Sequence, residues 1–299
     1  MNKEELLNKY SDPIVVGKHG LIQLIDVMGD DDAIVQAART SYGKGTQKKQ
    51  SDKNLIRYLI RNHHWTPVEM CEIKIFIKAP IHVIRQLIRH RTASVNEYST
   101  RYSEVLDEFE TFDASEWRLQ SGTNKQGSAG TLNELGDIFI DNDTLRGEEW
   151  ATIFSEEQAR LIDESYSLYD DMIKAGVAKE LARNVLPLSL YTQLYWKIDL
   201  RNLFNFLKLR LDAHAQQEIR EFAEAMYSIV KDWVPEASGA FEDYILNAVS
   251  LSRTEYHLLL LSVSFWDKGQ QAILLNTLNS IQSMSDREKK EFKEKFRID

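Results

Sequence analysis

Residues 68–80, VEMCEIKIFIKAP, alternate so regularly that they belong in a sheet with one dry and one wetter side. Cys71, Ile73, Ile75 and Ile77 face one way, and Met70, Glu72, Lys74, Phe76 and Lys78 the other. A face of isoleucines has to be covered, and the neighbouring sequence offers helices to cover it. Residues 20–29, GLIQLIDVMG, read as another strand. Residues 31–43 and 53–64 carry helical spacing, the first with aspartate caps and ending at Gly43. Pro80 suits the first helical position of residues 80–91, PIHVIRQLIRHR, where its missing N–H costs nothing.

Further along, residues 155–176 predict a helix capped by Ser155 and closed by Gly176, and residues 177–187 a short helix stopped by Pro187. Residues 188–198, LSLYTQLYWKI, predict a second strong strand with Tyr191, Tyr195 and Trp196 in its core. Residues 199–234 contain neither Gly nor Pro, which predicts one long helix, followed by a helix over 241–252 and a charged tail over 285–296. Residues 107–149 are rich in Gly, Ser, Asn, Thr and acids, and too poor in apolar residues for a core of their own. They read as a surface insertion.

Lys and Arg number 37 against 46 Asp and Glu, a net charge of −9, so the surface as a whole repels a nucleic-acid backbone. No run approaches the ~18 apolar residues of a membrane span, and the N-terminus has no apolar leader segment. The one cysteine, Cys71, excludes a disulfide or a cysteine-based zinc site within one chain. A soluble, cytoplasmic protein is expected, bound to neither nucleic acid nor membrane.

Against that acidity, residues 89–102, RHRTASVNEYSTRY, hold three arginines, a histidine, several hydroxyls and one acid, Glu97. Guanidinium forks with small hydroxyls suit phosphate oxygens. The residues alone leave two readings open: an anion site, or a surface loop salt-bridged to the acidic insertion. Glu97 either neutralises charge or holds a ribose hydroxyl. His82, Gln86 and Arg89 share a helix face, as do Arg201 with Asn205 and Arg210 with His214 if the long helix is unbroken. Each face suits a cleft or plain solvent. His63 and His64 are adjacent and diverge on a helix end, so no metal is expected. Cys71, on the apolar side of a strand, reads as core and not as a nucleophile. Neither G-x-x-x-x-G-K-[ST] nor G-x-G-x-x-G occurs, so a bound nucleotide is held by other means.

The same fourteen residues resemble the signature of the flavin-dependent thymidylate synthases, R-H-R-x-x-S-x-N-E-x-S-x-R, at Arg89, His90, Arg91, Ser94, Asn96, Glu97, Ser99 and Arg101. ARTSYG at 38–43, HWTPVE at 64–69, and two stretches within 182–219 resemble the same family in the same order, covering most of 20–245. The resemblance implies an α+β fold, a small mostly antiparallel sheet flanked by long helices. The whole chain is then a single domain, with the insertion at 107–149 and a helical, charged C-terminal extension at 246–299. It also implies a homotetramer whose active sites are shared between subunits. Each site would bind FAD, dUMP and a folate, with 5,10-methylenetetrahydrofolate and NADPH as cosubstrates and no metal.

Carried over by position, the dUMP contacts are Gln86, Arg89, Glu97, Tyr98, Ser99, Thr100, Arg101, Arg183 and Arg210, with Arg210 as the catalytic residue beside the uracil. The FAD positions are Ser41, His64, Thr66, Glu69, Arg89, His90, Arg91, Glu97, Asp199, Arg201, Asn205 and His214. Three residues depart from the family pattern. Asp199 replaces a frequent asparagine, Met70 a frequent histidine, and Thr100 a usual glycine, which bears on flavin affinity and on the flexibility of the dUMP loop.

Overall fold

The computed structural model describes residues 1–40, 51–122, 127–141, 143–264, 268–282 and 284–296. Helix α1 (Lys3–Lys9) leads into strands β1 (Ile14–Val16) and β2 (Gly20–Met28). Helices α2 (Asp31–Arg39) and α3 (Asp52–Arg61) come next, then β3 (Glu72–Pro80), α4 (Ile81–Leu87) and β4 (Ser94–Glu97). Two small hairpins follow, β5 (Arg118–Gln120) with β6 (Ser128–Thr131) and β7 (Asp137–Ile140) with β8 (Asp143–Arg146). After them run α5 (Gly147–Lys174), α6 (Lys179–Ala182), β9 (Tyr191–Asp199), α7 (Leu200–Arg210), α8 (Gln217–Trp233) and α9 (Pro235–Phe241). The chain continues through α10 (Arg253–Ser264), α11 (Lys268–Ser280) and α12 (Asp286–Phe296).

The main sheet has the order β1-β2-β3-β9-β4, antiparallel throughout, which is the expected α+β arrangement. β3 and β9 pair along their whole length, from Glu72 opposite Asp199 to Pro80 opposite Tyr191. The predicted alternation holds: Cys71, Ile73, Ile75 and Ile77 are all fully buried. With Leu194, Trp196 and Ile198 of β9 they pack in one core cluster with Leu203, Phe206 and Leu207 of α7 and Ile219, Met226 and Val230 of α8. Each buried isoleucine contributes roughly 1.5–3 kcal/mol, so this face alone commits the sheet to its helical cover. The opposite face is wetter. Phe76 and Tyr195 form a ring pair there at 5.3 Å, and Tyr195 is 45% exposed, so it lies outside the core to which the sequence pattern assigned it.

Several boundaries differ from expectation, each for a local reason. The long helix over 199–234 is broken at 211–216, because Asp212 Oδ1 accepts the backbone N–H of His214 at 2.8 Å and offers the chain a turn in place of helix. Pro80 ends β3 instead of opening α4, since Ile81 and His82 donate their N–H groups to Leu190 and Leu188 across the sheet end. The helix predicted to start at Ser155 starts at Gly147. The acids Glu148 and Glu149 make its first turn, and Ser155 Oγ lies inside it, donating to the Ala151 carbonyl at 3.1 Å. Gly147 is required there, because a Cβ would fall 2.0 Å from the Leu132 carbonyl oxygen. The helix predicted over 241–252 is instead α9 followed by a π turn over Glu242–Leu246. The expected helix end at Gly43 lies outside the described residues. No helix among the described residues is long and apolar enough to cross a membrane.

Residues 107–149 are sewn onto α5 by aromatic rings. Trp117 meets Phe112 at 5.4 Å and Phe154 at 6.1 Å, and its indole N–H donates to Ser155 Oγ at 2.9 Å. Arg118 of β5 reaches the start of α8, donating to Gln217 at 3.0 Å and pairing with the buried Glu218.

Candidate functional site

The signature straddles three kinds of backbone: the end of α4, the edge strand β4 and the turn after it. β4 pairs on one side only, with Ser94 opposite Lys197 and Glu97 opposite Leu194, and all four of its residues are exposed. Side chains from this segment meet others far away in sequence at two places.

The first lies where the C-terminal ends of α4 and α7 converge. Arg210 Nε donates to His90 Nε2 at 3.3 Å, and an Arg210 terminal nitrogen donates to the Gln86 carbonyl at 3.4 Å. Gln86 Nε2 in turn donates to Gln216 Oε1 at 2.6 Å. Burial pushes the His90 imidazole down to about 4 from 6.5, and the neighbouring Arg210 charge adds to that. Neutral His90 is what the geometry requires, since Nε2 must be a lone-pair acceptor for Arg210. Burial also lowers the Arg210 guanidinium from its ordinary value. A charged fork is thus held half-buried at the helix junction, its position set by an imidazole and a carbonyl instead of a carboxylate.

The second place is the turn after β4. Arg183 Nη1 donates to Thr100 Oγ1 at 3.0 Å, Arg101 pairs with Glu180 at 3.1 Å, and Thr192 Oγ1 donates to Glu97 at 2.9 Å. Ser99 accepts the N–H groups of Tyr102 and Ser103, which closes the turn, and Tyr98 N–H donates to the Gln193 carbonyl at 2.8 Å. Thr100, one of the three departures noted in the sequence, is therefore a partner of Arg183. Arg89 and Arg91 are exposed at the end of α4 and carry no ion pair among the described residues.

A third group lines α7 and the segment before β3. Arg201 pairs with Glu69 at 2.6 Å. Arg201 and Asn205 border a cavity of about 760 Å³ together with Trp65 and Lys208. His64 packs edge-on against Tyr58 at 5.6 Å, and its neighbours His63 and Trp65 line the cavity in its place. Thr66 is exposed. Asp199 caps α7: one carboxylate oxygen accepts the Asn202 N–H at 3.0 Å and the other accepts from the Asn202 amide at 2.7 Å. Its charge is thereby directed to the helix end. The break in the long helix separates Arg210 from His214, so the predicted shared face does not exist. His214 is largely exposed and held by Asp212 at 2.8 Å. Ser41 lies outside the described residues.

Cys71 is fully buried, its thiol donates to the Asp30 carbonyl at 3.4 Å, and burial, with Asp30 and Asp31 nearby, pushes it up to about 12. A thiol so placed stays protonated and out of reach. Among the described residues no group of three His, Cys, Asp or Glu is placed to hold a metal ion. Gln216 was hidden from sequence reasoning by the assumption of a continuous helix. The signal that finds it is the Asp212 turn that breaks the run.

A family model described as thymidylate synthase complementing protein matches residues 23–236. The flavin-dependent thymidylate synthase of Wolbachia pipientis is 51% identical over 244 residues, which is 81% of this chain and 80% of that protein. The flavin-dependent thymidylate synthase of Thermus thermophilus is 47% identical over 256 residues, 85% of this chain and 88% of that one. A crystal structure of the UMP/dUMP methylase PolB from Streptomyces cacaoi, bound with 5-Br UMP, is similar with a TM-score of 0.64. It is 30% identical and covers 78% of this chain and 98% of that one. Over most of its length, and with every specified position of the signature intact, the chain belongs to the flavin-dependent thymidylate synthase family.

Proposed function

We propose that this protein makes dTMP by reductive methylation of dUMP, with 5,10-methylenetetrahydrofolate giving the carbon, FAD as the flavin and NADPH as the reductant. The observation that supports this best is the junction of α4 and α7, where Arg210 is fixed by His90 and the Gln86 carbonyl. A guanidinium held there stabilises negative charge that develops on the uracil ring, and it needs no reorganisation to do so. The neutral imidazole behind it leaves that charge unshared.

Transfer of a methylene group makes a methyl group only with two further electrons, and the C5 hydrogen of uracil leaves as a proton. When bound, the reduced flavin supplies those electrons as a hydride. The chain's own residues bind and orient the reactants. Arg183, Thr100, Ser99 and Arg101 suit the nucleotide phosphate, and Arg183 is already turned onto Thr100. Gln86 faces the base end, and Glu97 suits a ribose hydroxyl. Arg201 and Asn205, with the cavity they border, suit the cofactor, as do His64, Thr66, Glu69, His90 and Arg91. The buried Cys71 leaves the chain without an accessible thiol, so attack on uracil by a cysteine is not part of this reading. Four copies sharing their sites would bring Arg89 and Arg91, exposed in one chain, against a neighbour's ligands.

The test is the colour of the protein and its response to reductant. A yellow preparation whose flavin absorbance bleaches under NADPH, more completely with dUMP present, is expected. A colourless protein that cannot be reconstituted with FAD sinks the reading.

A further inference from the structure

The family match ends at residue 236, yet the chain runs on and returns to the body of the protein. Glu288 of α12 is 5% exposed and lies 3.3 Å from Arg57 and 3.2 Å from Arg61, both on α3. Glu291, one turn on, lies 2.9 Å from Arg61. The two guanidiniums also stack on Tyr244, at 4.8 and 5.8 Å from its ring centre. A carboxylate as deep as Glu288 is tolerated only because cations meet it there, so α12 docks in one register and does not merely lie on the surface.

That docking completes the 760 Å³ cavity. Arg201, Asn205 and Lys208 of α7 form one side, Trp65 another, and residues 248–250 with Lys295 of α12 close it. The charges that line it do not balance. Arg61 and Arg201 are matched by Glu288, Glu291 and Glu69, and the one lining carboxylate, Asp243, pairs with Arg57 at 2.7 Å. Lys208 and Lys295 have no carboxylate partner among the described residues. Two unmatched ammonium groups beside an indole, in a chain of net charge −9, suit an anionic ligand with an aromatic end.

We propose that the C-terminal extension is the outer wall of the flavin cleft: Lys295 of α12 and Lys208 of α7 meet the diphosphate of FAD, and the Arg57–Arg61–Glu288–Glu291 cluster holds the wall in place. The inference rests on the reading of Arg201 and Asn205 as cofactor residues. The test is titration of the full-length protein with FAD, followed by flavin fluorescence. It compares Lys295→Ala, Glu291→Gln and, as a control on the outer face of α12, Lys290→Ala.

Lys295→Ala is expected to weaken FAD binding roughly tenfold, as loss of one charge-assisted contact does. Glu291→Gln should weaken it by a smaller factor and make α12 easier to cleave by protease. Lys290→Ala and all affinities for dUMP should stay at the wild-type level. Wild-type FAD affinity in both Lys295→Ala and Glu291→Gln overturns the inference, and so does a Lys295→Ala protein that loses affinity for NADPH alone. A wild-type protein that takes up no FAD instead defeats the cofactor reading on which the inference stands.

Discussion

Arg210 has an unusual setting for a charged residue: its neighbours are a neutral ring and a backbone carbonyl, with no carboxylate paired to it among the described residues. Such a group is available to a substrate charge, and Arg210→Ala should leave dUMP and flavin binding near wild type while lowering the rate of dTMP formation by two to three orders of magnitude, roughly the cost of one preorganised donor. Single-turnover kinetics with prereduced flavin read this directly, and undiminished turnover would remove the proposed role. His90 gives a second prediction, in pH. Unfolded, it takes a proton near 6.5, and folded only near 4, so between those values the unfolded state binds more protons and stability rises with pH. The contribution is complete above about pH 6.5 and is lost as pH falls toward 4. For a half-buried ring it amounts to about 1 kcal/mol. Urea midpoints at pH 5 and 7.5 should differ less in His90→Gln, which keeps an acceptor for Arg210 and does not titrate. An unchanged difference would show that the ring is not the cause.

Legibility from sequence divides along element lines. β3 was readable because a period of two with isoleucine on one side has few other uses, and Ile73, Ile75 and Ile77 are all fully buried. The signature was readable as a string, but its division into helix end, edge strand and turn was not, since those three states hold together through β9, about a hundred residues away. The break between α7 and α8 escaped because the run has no Gly or Pro. The turn is made by an Asp212 side chain binding its own backbone, and aspartate also occurs inside helices. With that break missed, the contact between Gln216 and Gln86 could not be seen. The pairings of Arg118 with Glu218 and of Arg57 with Glu288 span 100 and 231 residues. No local spacing carries such information, and polar pairs of this kind emerge only from the packed fold.

At the scale of the whole molecule, one side of the sheet is finished and the other is not. Tyr195 on the wetter face is 45% exposed, Val95 on the edge strand β4 43%, and Ile88 and Tyr102 beside the signature 43% and 75%, and β4 has one backbone edge unpaired among the described residues. Exposed apolar groups around an open strand edge are normally covered in the working state of a protein. The proposed homotetramer, with sites shared between chains, would cover them. Light scattering should then report about four times the 34.7 kDa of one chain, and a monomer with full turnover would refute the shared site.

The order in which the sheet is wired sets a timetable for biosynthesis. β3 must wait for β9, because Pro80 pairs with Tyr191 and Glu72 with Asp199, and more than a hundred residues separate the two strands. At a synthesis rate of roughly 5–20 residues per second, the isoleucine face of β3 is outside the ribosome for on the order of ten seconds before its central partner exists. Lengthening the intervening loop adds little to the equilibrium cost of closing it, since that cost grows only with the logarithm of length. It does add to the wait. The chain most needs shielding during that interval, and the proposed nucleotide site, whose residues come from both sides of the gap, is among the last parts to form.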